Sequence, residues 1–445
     1  MSMKPTNKRS NVIFKNIGLS LVGKMLSLLA SLLVVPLTID YINPTRYGIW
    51  LALSSIIAWI GIVDLGLGHG FRNKLASALA NKDILLSKQL VSTTYIFLSA
   101  IIVLVYLLLL VINYYIDWSS LLNIERAYQN ELHIVFLIVA AFFCLKLVVG
   151  VFYIVLYADQ KAGVVSIIQG VSNALSLLAI FFLTKYTEGS LVNLALFYSG
   201  VPAISVLFIS ILSFIMIKKY KEISPSFSYL KTSLIKGIFS LGLKFFLINI
   251  CMIIIFQISN LVISREIGQE EVTEYNISYK YFNILYIIAN VIVNPFWSAF
   301  TQAYVQKDFE WMKRMVLKLE KVWILSIAIG LIMLLVSPLV YKIWLNNKIS
   351  INFTLNIVMA IFYSIHIIAS IYMYLINGLG TVKIQLIIYV IGSFLSWPFM
   401  VYSCRLIGLP GIVLFPAIVY LAQAILTKIQ LTKILNHKAS GIWLQ

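Results

Sequence analysis

Apolar runs of about 20 residues recur from one end of the chain to the other, and each is long enough to cross ~30 Å of hydrocarbon as a helix. They lie near residues 16–36, 48–69, 92–113, 133–157, 163–184, 191–217, 240–263, 276–300, 321–343, 353–376, 384–404 and 409–431. Runs of this kind exclude a water-soluble fold, whose residues are roughly 25% charged; here 11% are charged and 61% hydrophobic. Inside a bilayer every backbone N–H and C=O must be satisfied within the protein, so spans of this length are helices. The expected fold class is therefore all-α integral membrane, with about twelve transmembrane helices.

The first residues are basic and polar, and the first apolar run lacks a small-residue cleavage site, so it reads as a retained span. Cys144, Cys251 and Cys404 each lie inside an apolar run, without metal-ligand spacing. They read as small apolar packers, and neither metal nor cofactor is expected.

The formal charge of +18 is distributed by topology. An N-terminus in the cytoplasm puts Lys4, Lys8, Arg9, Lys15, Arg72, Lys74, Lys82, Lys88, Lys161, the lysines of 218–236, Lys307, Lys313, Arg314, Lys318, Lys383, Lys428, Lys433 and Lys438 on one side. The other side receives Arg46, Arg126, Lys185, Arg265, Lys342, Lys348 and Arg405. The positive-inside rule then sets both termini in the cytoplasm. The charge reflects orientation and contact with anionic lipid, and no nucleic-acid partner is expected.

No connection exceeds about 25 residues, so a soluble catalytic domain has no place and the chain is not expected to be an enzyme. The largest outer loop, 114–132, carries Asp117, Glu125, Arg126 and Glu131 and reads as solvated. A membrane-embedded polymerase or glycosyltransferase would need a longer outer loop bearing catalytic groups.

Two short matches suggest an internal repeat. Ser20-Leu21-Val22-Gly23-Lys24 resembles Ser240-Leu241-Gly242-Leu243-Lys244, and Ala78-Leu79-Ala80-Asn81-Lys82-Asp83 resembles Ala303-Tyr304-Val305-Gln306-Lys307-Asp308. The expected layout is two pseudo-symmetric six-helix bundles, 1–217 and 239–445, joined by a basic cytoplasmic linker at 218–238. Six spans per half give both halves the same orientation, which suits alternating access around a site between them.

Polar residues inside the spans fall on single helical faces. Span 1 carries Ser20, Lys24, Ser27, Ser31 and Thr38; span 8 carries Asn276, Lys280, Asn283, Asn290 and Asn294. Weaker rows are Ser166, Gln169, Asn173 and Ser176, then Asn249, Gln257, Asn260 and Ser264, then Gln385, Tyr389, Gly392 and Ser396. A single serine reads as helix–helix glue. The span-8 row holds four amides and an ammonium, too much polarity for packing alone, and points to a hydrophilic interior. Lys146 should sit ~16 Å from the cytoplasmic end of its span, too deep for its stem to snorkel out easily. Lys24 and Lys244 are shallower and fit either a snorkelling or an interior role. His366 is either a hydrogen-bonded packing residue or a titratable gate. Asp64, Gly68 and Arg72 share one face, and an Asp64–Arg72 pair is either a gate or a structural bridge. Interior cations outnumber interior acids, which favours an anionic cargo.

Tyr47-Gly48-Ile49-Trp50, Trp59, and the run Asp64-Leu65-Gly66-Leu67-Gly68-His69-Gly70-Phe71-Arg72-Asn73-Lys74 resemble the second-span signature of O-antigen and polysaccharide flippases. These belong to the multidrug/oligosaccharidyl-lipid/polysaccharide exporter superfamily, with its MATE-like fold. The residue-level likeness is concentrated in 16–95; the second half agrees by pattern. The resemblance implies a carrier in the bacterial inner membrane that moves an undecaprenyl-diphosphate-linked oligosaccharide to the periplasmic leaflet. It also implies H+ or Na+ as coupling ion, and a polysaccharide polymerase and chain-length regulator as partners. Lys24, Lys146, Lys244 and Lys280 could then meet the diphosphate, and the asparagines the sugar hydroxyls. A sister flippase for lipid II, teichuronic acid or exopolysaccharide units fits the same cations.

Overall fold

The computed structural model describes residues 5–42, 46, 49–50, 67–122, 126–345 and 351–444. The helices are α1 (Pro5–Ile42), α2 (Leu67–Ala80), α3 (Ile84–Tyr115), α4 (Trp118–Leu122), α5 (Gln129–Ala158), α6 (Ala162–Tyr186) and α7 (Leu191–Met216). They continue as α8 (Lys218–Glu222), α9 (Ser233–Glu266), α10 (Gln269–Val305), α11 (Phe309–Leu345), α12 (Phe353–Leu379), α13 (Lys383–Ile407) and α14 (Leu409–Leu435). Among the described residues, 11 helices are long and apolar enough to cross a membrane. The remaining expected span, 48–69, falls largely outside the described residues, and Asp64 with it.

The chain divides into two compact units, Met1–Ser240 and Leu241–Gln445. In the second unit, the most apolar windows of α10, α12 and α14 are each 61% buried, against 17% for α11. The first three helices therefore make the core of that unit and α11 lines its rim. Leu335 is 75% and Phe394 80% exposed. Side chains of that kind belong against acyl chains, which is how a membrane protein satisfies an apolar exterior.

In the first unit α1 and α6 pack unusually closely. A Cβ on Gly23 would fall onto the Ser166 backbone, and one on Gly163 or Gly170 would lie 2.8 Å from the Asn16 carbonyl or 2.7 Å from the Gly23 carbonyl. Small residues let two backbones meet where lipid offers no hydrophobic drive for association. Asn16 ties the pair together: its Oδ1 accepts from the Gly163 N–H at 2.9 Å, and its Nδ2 donates to the Gln160 carbonyl at 2.6 Å. Ser27 and Asn173, one from each polar row, are hydrogen-bonded at 3.2 Å.

The same turn is built twice. Lys82 and Lys307 both lie in the left-handed region, at φ 57° and 56°. Asp83 N–H donates to the Ala78 carbonyl at 3.0 Å, and Asp308 N–H to the Ala303 carbonyl at 2.9 Å, which closes each helix end. Each aspartate then caps the next helix, accepting from Leu86 N–H at 2.9 Å and from Trp311 N–H at 3.2 Å. The repeated Lys-Asp sequence thus encodes a repeated stop-and-start. A second pair of left-handed residues, Gln160 (φ 57°) and Gly380 (φ 76°), ends α5 and α12 in the same way.

The basic stretch after α7 is docked on the first unit. Tyr220 donates to Asp159 Oδ2 at 2.8 Å, and Lys219 pairs with the other oxygen of that carboxylate. Burial, and then the Asp159 charge beside it, push the Tyr220 phenol well above its ordinary value. Ser226 N–H and Lys231 N–H donate to Ser92 Oγ and Thr93 Oγ1, both at 3.0 Å, and Lys88 sits 4.3 Å from the Tyr229 ring centre.

Candidate functional site

In the second unit, the asparagine row follows from α10 being helical throughout. Asn276 donates to Asn260 Oδ1 at 3.0 Å and to the Val272 carbonyl at 2.7 Å, joining the α9 and α10 rows. Asn290 donates to Tyr286 Oη at 3.1 Å and to Tyr374 Oη at 3.0 Å. Asn283, Asn290 and Asn294 are half-buried and Lys280 is exposed. The row therefore lies along the margin of the unit, part packed and part accessible.

Tyr286 connects this row to His366. The His366 ring is stacked between Tyr286 and Tyr420, with centroids at 4.1 and 4.0 Å and interplanar angles of 12° and 24°. Phe362, Tyr363 and Phe256 close the sides at 5.6, 6.1 and 6.4 Å. Behind Tyr420 lies Tyr389, whose hydroxyl is hydrogen-bonded to Gln423. Among the described residues, neither ring nitrogen of His366 meets a hydrogen-bond partner. The expectation of a hydrogen-bonded packing histidine thus gives way to an aromatic cage. The spacing of Tyr275, Tyr279 and Tyr286 on α10 was a visible signal for this wall; Tyr420 carried none, because its role depends on how α14 is rotated.

In the first unit, Lys24 on α1 and Lys146 on α5 are both exposed, and in the second Lys244 is half-buried. Among the described residues no carboxylate pairs with Lys24, Lys146, Lys244 or Lys280. Arg72 is 5% exposed and stacks over the Tyr157 ring at 4.8 Å; its expected partner Asp64 lies outside the described residues.

Sequence reading passed over two carboxylates that the fold puts to use. Asp159 holds Lys161 at 3.4 Å as well as Lys219 and Tyr220. Glu320 on α11 accepts from Tyr372 Oη at 2.5 Å and pairs with Lys428 at 3.4 Å. Both lie just beyond the expected span limits, where an acid looks merely solvated.

The family of proteins described as "Polysaccharide biosynthesis protein" matches residues 13–301. The chain belongs to this family. A putative O-antigen export protein of Yersinia pseudotuberculosis is 20% identical over 65% of this chain and 65% of its own length. Putative O-antigen transporters of Salmonella typhi and Salmonella typhimurium are 19% and 20% identical, over 85% and 89% of this chain and 87% and 91% of theirs. Among solved structures, a MATE protein in the bent conformation superposes with a TM-score of 0.80, covering 99% of this chain and 100% of that one at 15% identity. The Vibrio cholerae MATE transporter VcmN in its bent form gives 0.78, at 13% identity and 99% coverage of each. The fold of the chain is that of the MATE transporters, as the resemblance implied.

Proposed function

We propose that the protein is a flippase for O-antigen or a related surface polysaccharide, carrying undecaprenyl-diphosphate-linked repeat units from the cytoplasmic to the periplasmic leaflet of the bacterial inner membrane. The observation that carries the reading is Lys146: an exposed lysine about 16 Å inside its span, with no carboxylate partner among the described residues. An ion so placed is costly unless it meets water or an anion, and a lipid diphosphate supplies concentrated negative charge. Lys24, Lys244 and Lys280 are further point charges for the same group, and Asn276, Asn283, Asn290 and Asn294 suit sugar hydroxyls. The names of the relatives support the cargo, and the MATE-like fold supports alternating access by two six-helix bundles with cytoplasmic termini. Exchange against H+ or Na+ would supply the driving force, and a polymerase and chain-length regulator would receive the product.

Deleting the gene should abolish surface polysaccharide and leave lipid-linked repeat units on the cytoplasmic side. Normal surface polymer, in a strain without a redundant carrier, overturns the proposal. Accumulation of a different lipid-linked glycan would mark a sister flippase instead. In complementation, Lys146→Ala should lower export at unchanged protein level, and Lys146→Arg should restore part of it. Full export by the alanine variant removes Lys146 from the site.

A further inference from the structure

The proposed exchange leaves open where an ion is sensed, and the C-terminal unit holds a group built to respond to one. His366 is 6% exposed, and its stacked partners Tyr286 and Tyr420 come from the two helices that pack most closely on α12. Among the described residues both ring nitrogens lack a hydrogen-bond partner in this packing. A buried polar atom without a hydrogen bond is destabilising, and imidazole has two. Further along the cage, the Gln385 Oε1 and Gln423 Nε2 atoms are likewise buried and, among the described residues, without a hydrogen-bond partner. The interior is thus polar enough to take water once it loosens.

The charges around the ring decide what protonation would do. From α10 it faces Tyr286; from α14, Tyr420 with Tyr389 of α13 behind; from α9, Phe256; and from its own helix, Phe362 and Tyr363. α11 contributes Glu320, but that carboxylate is engaged by Tyr372 and Lys428, about 9 Å further along α12. No carboxylate touches the ring among the described residues. An imidazolium here would have ring faces as its compensation, which is far less than its loss of hydration.

The internal repeat adds an independent observation. His366 lies as far ahead of the left-handed residue Gly380 as Lys146 does ahead of Gln160. The two halves therefore carry a nitrogen base at the same level of the corresponding helix, exposed in α5 and caged in α12.

We propose that His366 is a proton-binding site that opens the C-terminal unit: neutral in the closed packing of α12 against α10 and α14, and able to stay protonated when those helices part enough to admit water. At this level the N-terminal half carries a lysine, Lys146, and the C-terminal half this histidine. This reading rests on the protein being an ion-coupled transporter, but not on the identity of its glycan.

The test is hydrogen–deuterium exchange of the purified full-length protein in lipid nanodiscs at about pH 5.5 and 8, either side of the ordinary histidine range and corrected for intrinsic rates. Peptides of α12 and α14 should exchange several-fold faster at the acid pH. The chain has four histidines, so each is replaced in turn. His366→Gln should remove the acceleration, while His69→Gln, His133→Gln and His437→Gln retain it. His366→Asn serves if the glutamine variant is not monodisperse. No acid acceleration in the wild-type protein overturns the proposal, as does acceleration that survives His366→Gln or is lost in another variant. Because no glycan enters the assay, its failure is distinguishable from failure of the flippase assignment.

Discussion

In the N-terminal unit α1 and α6 meet backbone to backbone, whereas at Gly392 of α13 the C-terminal unit presents side chains. An added Cβ at Gly392 would meet Val419 and Ile255 methyl groups at 3.2 and 3.3 Å, not a neighbouring main chain. The contrast extends to the ionisable groups. Lys146 stands exposed on a unit where α1 and α6 are locked by glycines and by Asn16; His366 is enclosed by aromatic side chains. Close backbone contact leaves little room for rearrangement, while side-chain contacts can repack. The contrast is local: the C-terminal unit has close backbone contacts of its own, where a Cβ on Gly378 would fall onto the Trp297 carbonyl and one on Gly411 onto the Ser403 main chain.

The sharpest way to break this contrast is a paired substitution. Gly23→Ala should cost about 3 kcal/mol or more, because the Ser166 main chain cannot yield. Gly392→Ala should cost less than about 1 kcal/mol, since methyl ends can shift. Thermal denaturation of both purified variants compares them, and equal losses would remove the distinction. Next in size, Asn16→Leu should cost roughly 1–3 kcal/mol by stranding the buried Gly163 N–H. A melting temperature within error of wild type would mean that Asn16 is not the tie between α1 and α6. The smallest effect is expected at Asp159→Ala, about 1 kcal/mol, set by loss of the acceptor for the buried Tyr220 hydroxyl, since the half-exposed Lys219 adds little. It should nevertheless free the segment after α7, seen as faster proteolytic cleavage within 217–232. Unchanged cleavage would show that Ser92 and Thr93 hold the segment without the carboxylate.

Several features could be read directly from the chain. The apolar runs dictated a helical membrane protein, since backbone polar groups have no partner in hydrocarbon except one another. The Lys-Asp pairs at 82–83 and 307–308 marked matching turns, because a left-handed residue followed by a capping aspartate is local chemistry. The asparagine row of α10 was likewise legible from helical periodicity. Tertiary structure alone decided that Tyr286 and Tyr420 would enclose His366, that Asp159 would hold Lys219 and Tyr220, and that Glu320 would meet Tyr372. The reason is physical. In water, hydrophobicity tells which face of a helix turns inward; in lipid the outward face is apolar too, so the rotation of each helix is set by packing partners remote in sequence.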